Sequence, residues 1–156
     1  MNGEHGKKAD YVPPCRMVLG ALGISLEELN GGGRATVSAK ALRTLIRELV
    51  RRTEFDPEWY SRNNPDVEGA RLAGDVTSPR QHFVEAGYFE GRLPRELPFD
   101  PRFYRRHYAD IAESFPASDA SGMREHFLHT GYFEGRAGTA AMLEDIAYWR
   151  RLLEDS

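Results

Sequence analysis

The stretch with the most chemistry in it is Gly-Tyr-Phe-Glu-Gly-Arg, which occurs twice, at 87–92 and 131–136. Tyr88, Glu90 and Arg92 in the first occurrence, and Tyr132, Glu134 and Arg136 in the second, are types that can hold a small polar ligand. A guanidinium grips phosphate or carboxylate in bidentate fashion, a carboxylate accepts from sugar hydroxyls, and an aromatic ring lies against a sugar face. The same residues also suit a corner of the fold, with glycines turning the chain, Tyr and Phe entering the core, and Glu and Arg tied to a nearby Asp. Presence of all six residues in both occurrences favours the corner, because what two copies share is most simply scaffold.

Other reactive residue types have equally local explanations. His82 and His126 each stand before a Phe, and His129 follows three residues after His126, but Glu85 occupies the matching place in the first occurrence. A metal centre needs converging ligands, so packing or a helix-side hydrogen bond is expected, with no metal and no cofactor. Asp56 and Asp100 could serve as an acid–base pair, yet each precedes a proline, the pattern of a helix cap followed by a first-turn proline. The single cysteine, Cys15, lacks an activating neighbour and excludes both an internal disulfide and a Cys-based zinc site. No nucleophile with its base and no phosphate loop is present, so a non-catalytic protein is expected.

Composition narrows the partners. The chain has 156 residues, 40% of them apolar and 29% charged, with a net charge of -3, so bulk charge does not recruit nucleic acid or anionic lipid. Lys40, Arg43, Arg47 and Arg51 form a basic stripe, expected to be the solvated face of a helix. The segment ALGISLEELNGG resembles the close of a repressor-type helix-turn-helix, but only a polar tail and Pro13-Pro14 precede it where a recognition helix should lie. The longest apolar run, Met17 to Ile24, is interrupted by Gly20 and Gly23 and is far short of the ~20 residues of a membrane span. The polar N-terminus is wrong for a secretory signal, so a cytoplasmic protein without membrane insertion is expected.

The elements that position these residues follow from self-comparison. FDPEWYSRNNPDV from Phe55 aligns with FDPRFYRRHYADI from Phe99, and HFVEAGYFEGR from His82 aligns with HFLHTGYFEGR from His126, both at an offset of 44 residues and without a gap. Each copy predicts a helix opened by Asp-Pro and a second short helix, the latter starting at Pro65 in copy one. A third helix follows, running from Pro79 to Ala86 in copy one and opened by Ser121 in copy two. Gly87 and Gly131 are expected as left-handed caps, with Gly91 and Gly135 as tight turns. Upstream, Pro14 to Gly23 predicts a helix, Ser25 with Glu28 a capping box, and Gly31 to Gly33 a hinge. Leu42, Leu45, Ile46 and Leu49 predict an amphipathic helix from Ser38 with a buried stripe. Thr139 caps a last helix that carries Met142, Ile146, Trp149 and Leu153 on one face. No segment alternates with period two, so the expected class is all-α. Five segments result: a disordered tail at 1–12, an N-terminal helical segment at 13–54, repeat copies at 55–98 and 99–138, and a C-terminal helix at 139–156.

The residues FDPxxY, NPDV, HF, Gly and EGR resemble a short bacterial tandem repeat, FDxxYYLxxNPDVxxxGxxPLxHYxxxGxxEGRxP. It is found beside glycosyltransferase domains in polysaccharide-biosynthesis proteins and in some secreted calcium-binding proteins. Copy one keeps Asn64, Pro65, Asp66 and Val67, whereas copy two has Tyr108, Ala109, Asp110 and Ile111. The resemblance implies an accessory interaction or assembly module for surface-polysaccharide synthesis or export, with a glycosyltransferase or export component as partner. Calcium is not expected, for want of an EF-hand loop or a glycine-aspartate nonapeptide. Two repeats are few for a solenoid, so flanking helices or another subunit must cover them, and a homo-oligomer is expected. Leu42, Ile46, Leu49, Met142, Ile146 and Trp149 form the expected interaction surface. The alternative function is a glycan or sugar-nucleotide site at the two corners.

Overall fold

The computed structural model describes residues 13–154; the tail expected at 1–12 lies outside them. Among the described residues there are ten α-helices and no strand, so the fold is all-α. In order these are α1 (Cys15–Leu22), α2 (Leu26–Asn30), α3 (Ala39–Val50), α4 (Pro57–Asn63), α5 (Pro65–Ala73), α6 (Pro79–His82), α7 (Pro101–His107), α8 (Ala109–Ser114), α9 (Ala120–His126) and α10 (Ala140–Glu154). Both α6 and α9 run on into a single π-helical turn, Phe83–Gly87 and Phe127–Gly131. No described helix is long and apolar enough to cross a membrane.

Short helices in this chain start where a side chain can take up free backbone N–H groups. Asp56 accepts from the Trp59 amide at 2.9 Å, and Asp100 from the amides of Arg102 and Phe103, each with proline at the first helical position. Ser25 and Glu28 form a reciprocal capping box. Ser78 caps α6 through the Gln81 amide. In the second copy the cap is Asp119 rather than Ser121: its carboxylate accepts from Gly122 N at 2.8 Å, starting α9 earlier than expected.

The chain divides between Glu96 and Leu97 into two compact units. In the first, α1 and α3 pack together across the Gly31–Gly33 stretch, with Ser38 N donating to Leu22 O, so the glycines form a turn within one unit. The core here is Val50, Tyr60, Val67, Phe83 and Val84, joined by Ile46 and Phe55. In the second unit Leu97, Phe103, Tyr104, Ile111, Met123, Phe127 and Ala137 are buried. Each unit centres on a tyrosine with no exposed surface, Tyr60 or Tyr104. Phe55 and Phe83 flank Tyr60 at 5.1 and 5.7 Å, and Phe99 and Phe127 flank Tyr104 at 5.3 and 5.6 Å. A backbone bond closes each loop of chain, Asp56 N to Pro94 O and Asp100 N to Gly138 O.

Helix α3 docks by a different face from the one its leucines predict. Leu42, Leu45 and Leu49 are exposed, and of the expected stripe only Ile46 packs on the core, beside Val50. The docked face is Arg43, Ile46, Arg47 and Val50, again at i, i+3, i+4 and i+7 spacing. Arg43 lays its guanidinium 3.9 Å from the centre of the Phe89 ring, and Arg43 and Arg47 both donate to Glu85 O. Two members of the basic stripe are therefore packing residues, because a guanidinium is weakly hydrated and stacks on aromatic rings. At the other end, none of residues 140–153 in α10 is buried.

Candidate functional site: the two arginine corners

Each corner begins with a partly buried hydrogen bond. Tyr60 Oη lies 3.0 Å from His82 Nδ1, and Tyr104 Oη lies 3.0 Å from His126 Nδ1. Burial pushes both tyrosine hydroxyls up to about 12 from an ordinary 10.0. That hydroxyl also explains the glycine that follows. A Cβ on Gly87 would run into the Tyr60 hydroxyl, and one on Gly131 into that of Tyr104. Neither glycine has a positive φ, so the expectation of left-handed caps is corrected: both are glycine because a ring needs the space. The left-handed positions are Gly91 and Gly135, at φ 75° and 74°.

Past that turn Arg92 N donates to Gly87 O, and Arg136 N to Gly131 O, each at 2.8 Å, which aims the arginine side chains back at the helices before them. Arg92 donates through Nε to Glu90 at 2.8 Å, and its two terminal nitrogens reach Asp66 at 3.0 and 2.8 Å and Asn64 at 3.1 Å. Arg136 donates to Glu134 at 2.9 Å and Asp110 at 2.8 Å, and lies 5.1 Å from the centre of the Tyr108 ring. The Tyr108 hydroxyl in turn accepts from Ala137 N at 2.7 Å. Hydrogen bonds from the arginines hold the carboxyls of Asp66 and Asp110 below the usual carboxylate value, and those bonds raise both guanidiniums. A ligand anion at either corner would have to displace an aspartate already bound.

The aromatic residues of the motif do not fill the core as expected. Tyr88, Phe89 and Phe133 are exposed, while Phe83 and Phe127, at the start of each π-turn, are the buried rings. Tyr88 sits edge-on to Phe83, and Tyr132 edge-on to Phe127. His129 and Cys15 are exposed, and among the described residues no group of three or more His, Cys, Asp or Glu side chains could hold a metal ion.

The second unit brings both sets of sequence-selected residues together. Tyr132 and Arg136 share an open hollow of about 460 Å³ with Met142, Ile146 and Trp149 of α10. In the first unit Leu42 and Leu49 stand exposed on α3, and Leu45 lines a separate hollow of about 370 Å³ against α1. A third hollow, of about 830 Å³, is lined by Arg102, Arg105, Arg106 and His107 over alanines, and no sequence motif marks it. A signal for it is the difference at three of these positions, where the residues 44 earlier are Glu58, Ser61 and Asn63, with Arg62 matching Arg106. No protein-family model matches the chain, and neither a curated protein nor a solved structure matches it.

Proposed function

We propose that the chain is a non-catalytic interaction module that assembles with protein partners through its apolar helix faces. Following the repeat it resembles, its setting is cytoplasmic and accessory to surface-polysaccharide synthesis or export, with a glycosyltransferase, an export component or another copy as partner. The observation that carries this is α10: Tyr148, Trp149, Leu152 and Leu153 crowd one side of a helix in which no residue from 140 to 153 is buried. Single exposed apolar residues are ordinary, whereas four on successive turns of one helix form a patch suited to an interface. Leu42 and Leu49 on α3 offer a second, smaller apolar surface. The test is site-specific photo-crosslinking in the native host from positions 149 and 49, with exposed Arg62 as control. Adducts of protein mass at 149 or 49 and none at 62 support the module; unmodified chain at all three overturns it.

A glycan or sugar-nucleotide site is the second proposal, and the hollow that joins Tyr132, Arg136 and Trp149 is what favours it. Arg136→Ala separates the two: a ligand site predicts a retained melting temperature with lost binding, and a corner brace predicts a lowered melting temperature.

A further inference from the structure

We infer that the partner seated on α10 is a second copy of α10, running antiparallel about a two-fold axis between Ala147 and Tyr148. This rests on the interaction module proposed above and names its occupant. Read forward from Met142, the helix runs Met-Leu-Glu-Asp-Ile-Ala; read backward from Leu153, it runs Leu-Leu-Arg-Arg-Trp-Tyr. The two halves match in hydrophobicity and oppose in charge. Antiparallel pairing about that midpoint sets Met142 level with Leu153, Leu143 with Leu152, and Ile146 with Trp149. It also sets Glu144 level with Arg151, whereas Arg150, level with Asp145, donates to Gly135 O at 3.1 Å within its own unit.

Level alone does not make a contact; the residues must also share an edge of the helix. A two-fold axis perpendicular to a helix pair brings each edge against the same edge of the partner. Glu144 and Arg151 are seven residues apart, close to two full turns, so they lie on one edge and meet their counterparts across the axis twice. That edge borders the exposed side carrying Tyr148 and Leu152, so the charge pairs flank apolar contact. Neither Glu144 nor Arg151 is ion-paired with another described residue. Parallel pairing, about an axis along the helices, would instead bring this edge against the partner's opposite edge, so Glu144 and Arg151 would not meet across it. Self-complementarity of this kind is what an isologous two-fold interface requires.

The experiment is sedimentation equilibrium on the full chain, with circular dichroism to verify folding. The wild type is expected to be a dimer that weakens as salt is added. Glu144→Arg alone and Arg151→Glu alone each raise the dissociation constant roughly tenfold or more, while keeping the helical spectrum. The double variant Glu144→Arg with Arg151→Glu restores the dimer, and mixing the two single variants gives a mixed dimer. A monomeric wild type, or a double variant no tighter than either single one, overturns the inference. If the chain is monomeric while position 149 still crosslinks to a different protein, the second-copy partner falls and the interaction module stands. If it is monomeric and position 149 and position 49 both capture nothing, both fall.

Discussion

Replacing Gly131 by alanine drives a methyl group into the Tyr104 hydroxyl, and neither side can step away. Tyr104 has no exposed surface, is wedged between Phe99 and Phe127, and is tied by its hydroxyl to His126. Overpacking of this kind costs ~1–3 kcal/mol. A weakened Tyr–His hydrogen bond adds roughly 0.5–1.5 kcal/mol, and the better helix propensity of alanine returns at most about 1 kcal/mol. The net expectation is a loss of about 1–3 kcal/mol, read by urea denaturation followed by circular dichroism. Tyr104→Phe alone costs about 1 kcal/mol, since it leaves His126 without its partner. In the double variant the methyl group occupies the space the hydroxyl vacated. The combined loss should therefore fall short of the sum of the single losses by roughly 1–2 kcal/mol. Strict additivity, or a Gly131→Ala variant as stable as the parent, would refute the claim that this glycine exists to admit the tyrosine.

The contrast case is Gly20 inside α1, where an added Cβ meets nothing within 4 Å and φ is not positive; Gly20→Ala should raise stability by ~0.5–1 kcal/mol in the same assay. The Asp66 carboxyl is held below its ordinary 3.8 by the hydrogen bond from Arg92, so its stabilisation is complete above that value and is lost as pH falls through the lowered one. The stability gap between the parent and Asp66→Asn should thus be widest near neutrality and close in acid. Tyr60 and Tyr104, raised to about 12 by burial, confer stability that is whole below 10.0 and fades as pH climbs through about 12. Ultraviolet titration should show a late phase to which Tyr60 and Tyr104 contribute, and the Tyr104→Phe variant should lose part of its amplitude.

What could be read from the sequence was what depends on neighbours within a turn or two of chain. Asp56, Asp100 and Ser25 cap because their partners are two or three residues away, and no tertiary contact is needed to see it. The orientation of α3 was not legible for the opposite reason. Hydrophobic periodicity marks a helix with two unlike faces, but which face docks depends on what waits there. Here it is a Phe89 ring and the Glu85 carbonyl, both suited to arginine, that turn the leucines outward. Gly87 and Gly131 were misplaced in the same way. From the sequence a glycine after a helix looks like a backbone requirement, and only the tyrosine 27 residues earlier shows that the requirement is for space.

The arginine's surroundings differ between the two units while its position does not. In the first unit Asn64 accepts directly from Arg92; in the second, Tyr108 stands at the matching place, turns its ring toward Arg136, and uses its hydroxyl to hold Ala137 N. An amide and a phenol ring offer a guanidinium quite different chemistry, an acceptor in one case and a π-face in the other. A ligand site built on Arg92 and Arg136 would present two different walls to its ligand. A brace needs only that the aspartate two residues further on, Asp66 or Asp110, stay within reach, and in both units it does, at 2.8 Å. The residue types that suggest recognition of a phosphate or sugar also hold a short helix against a glycine corner, and Arg136→Ala separates the two roles. Leu42 and Leu49 on α3 and Tyr148 on α10 stand exposed beside these contacts as surfaces open to a partner.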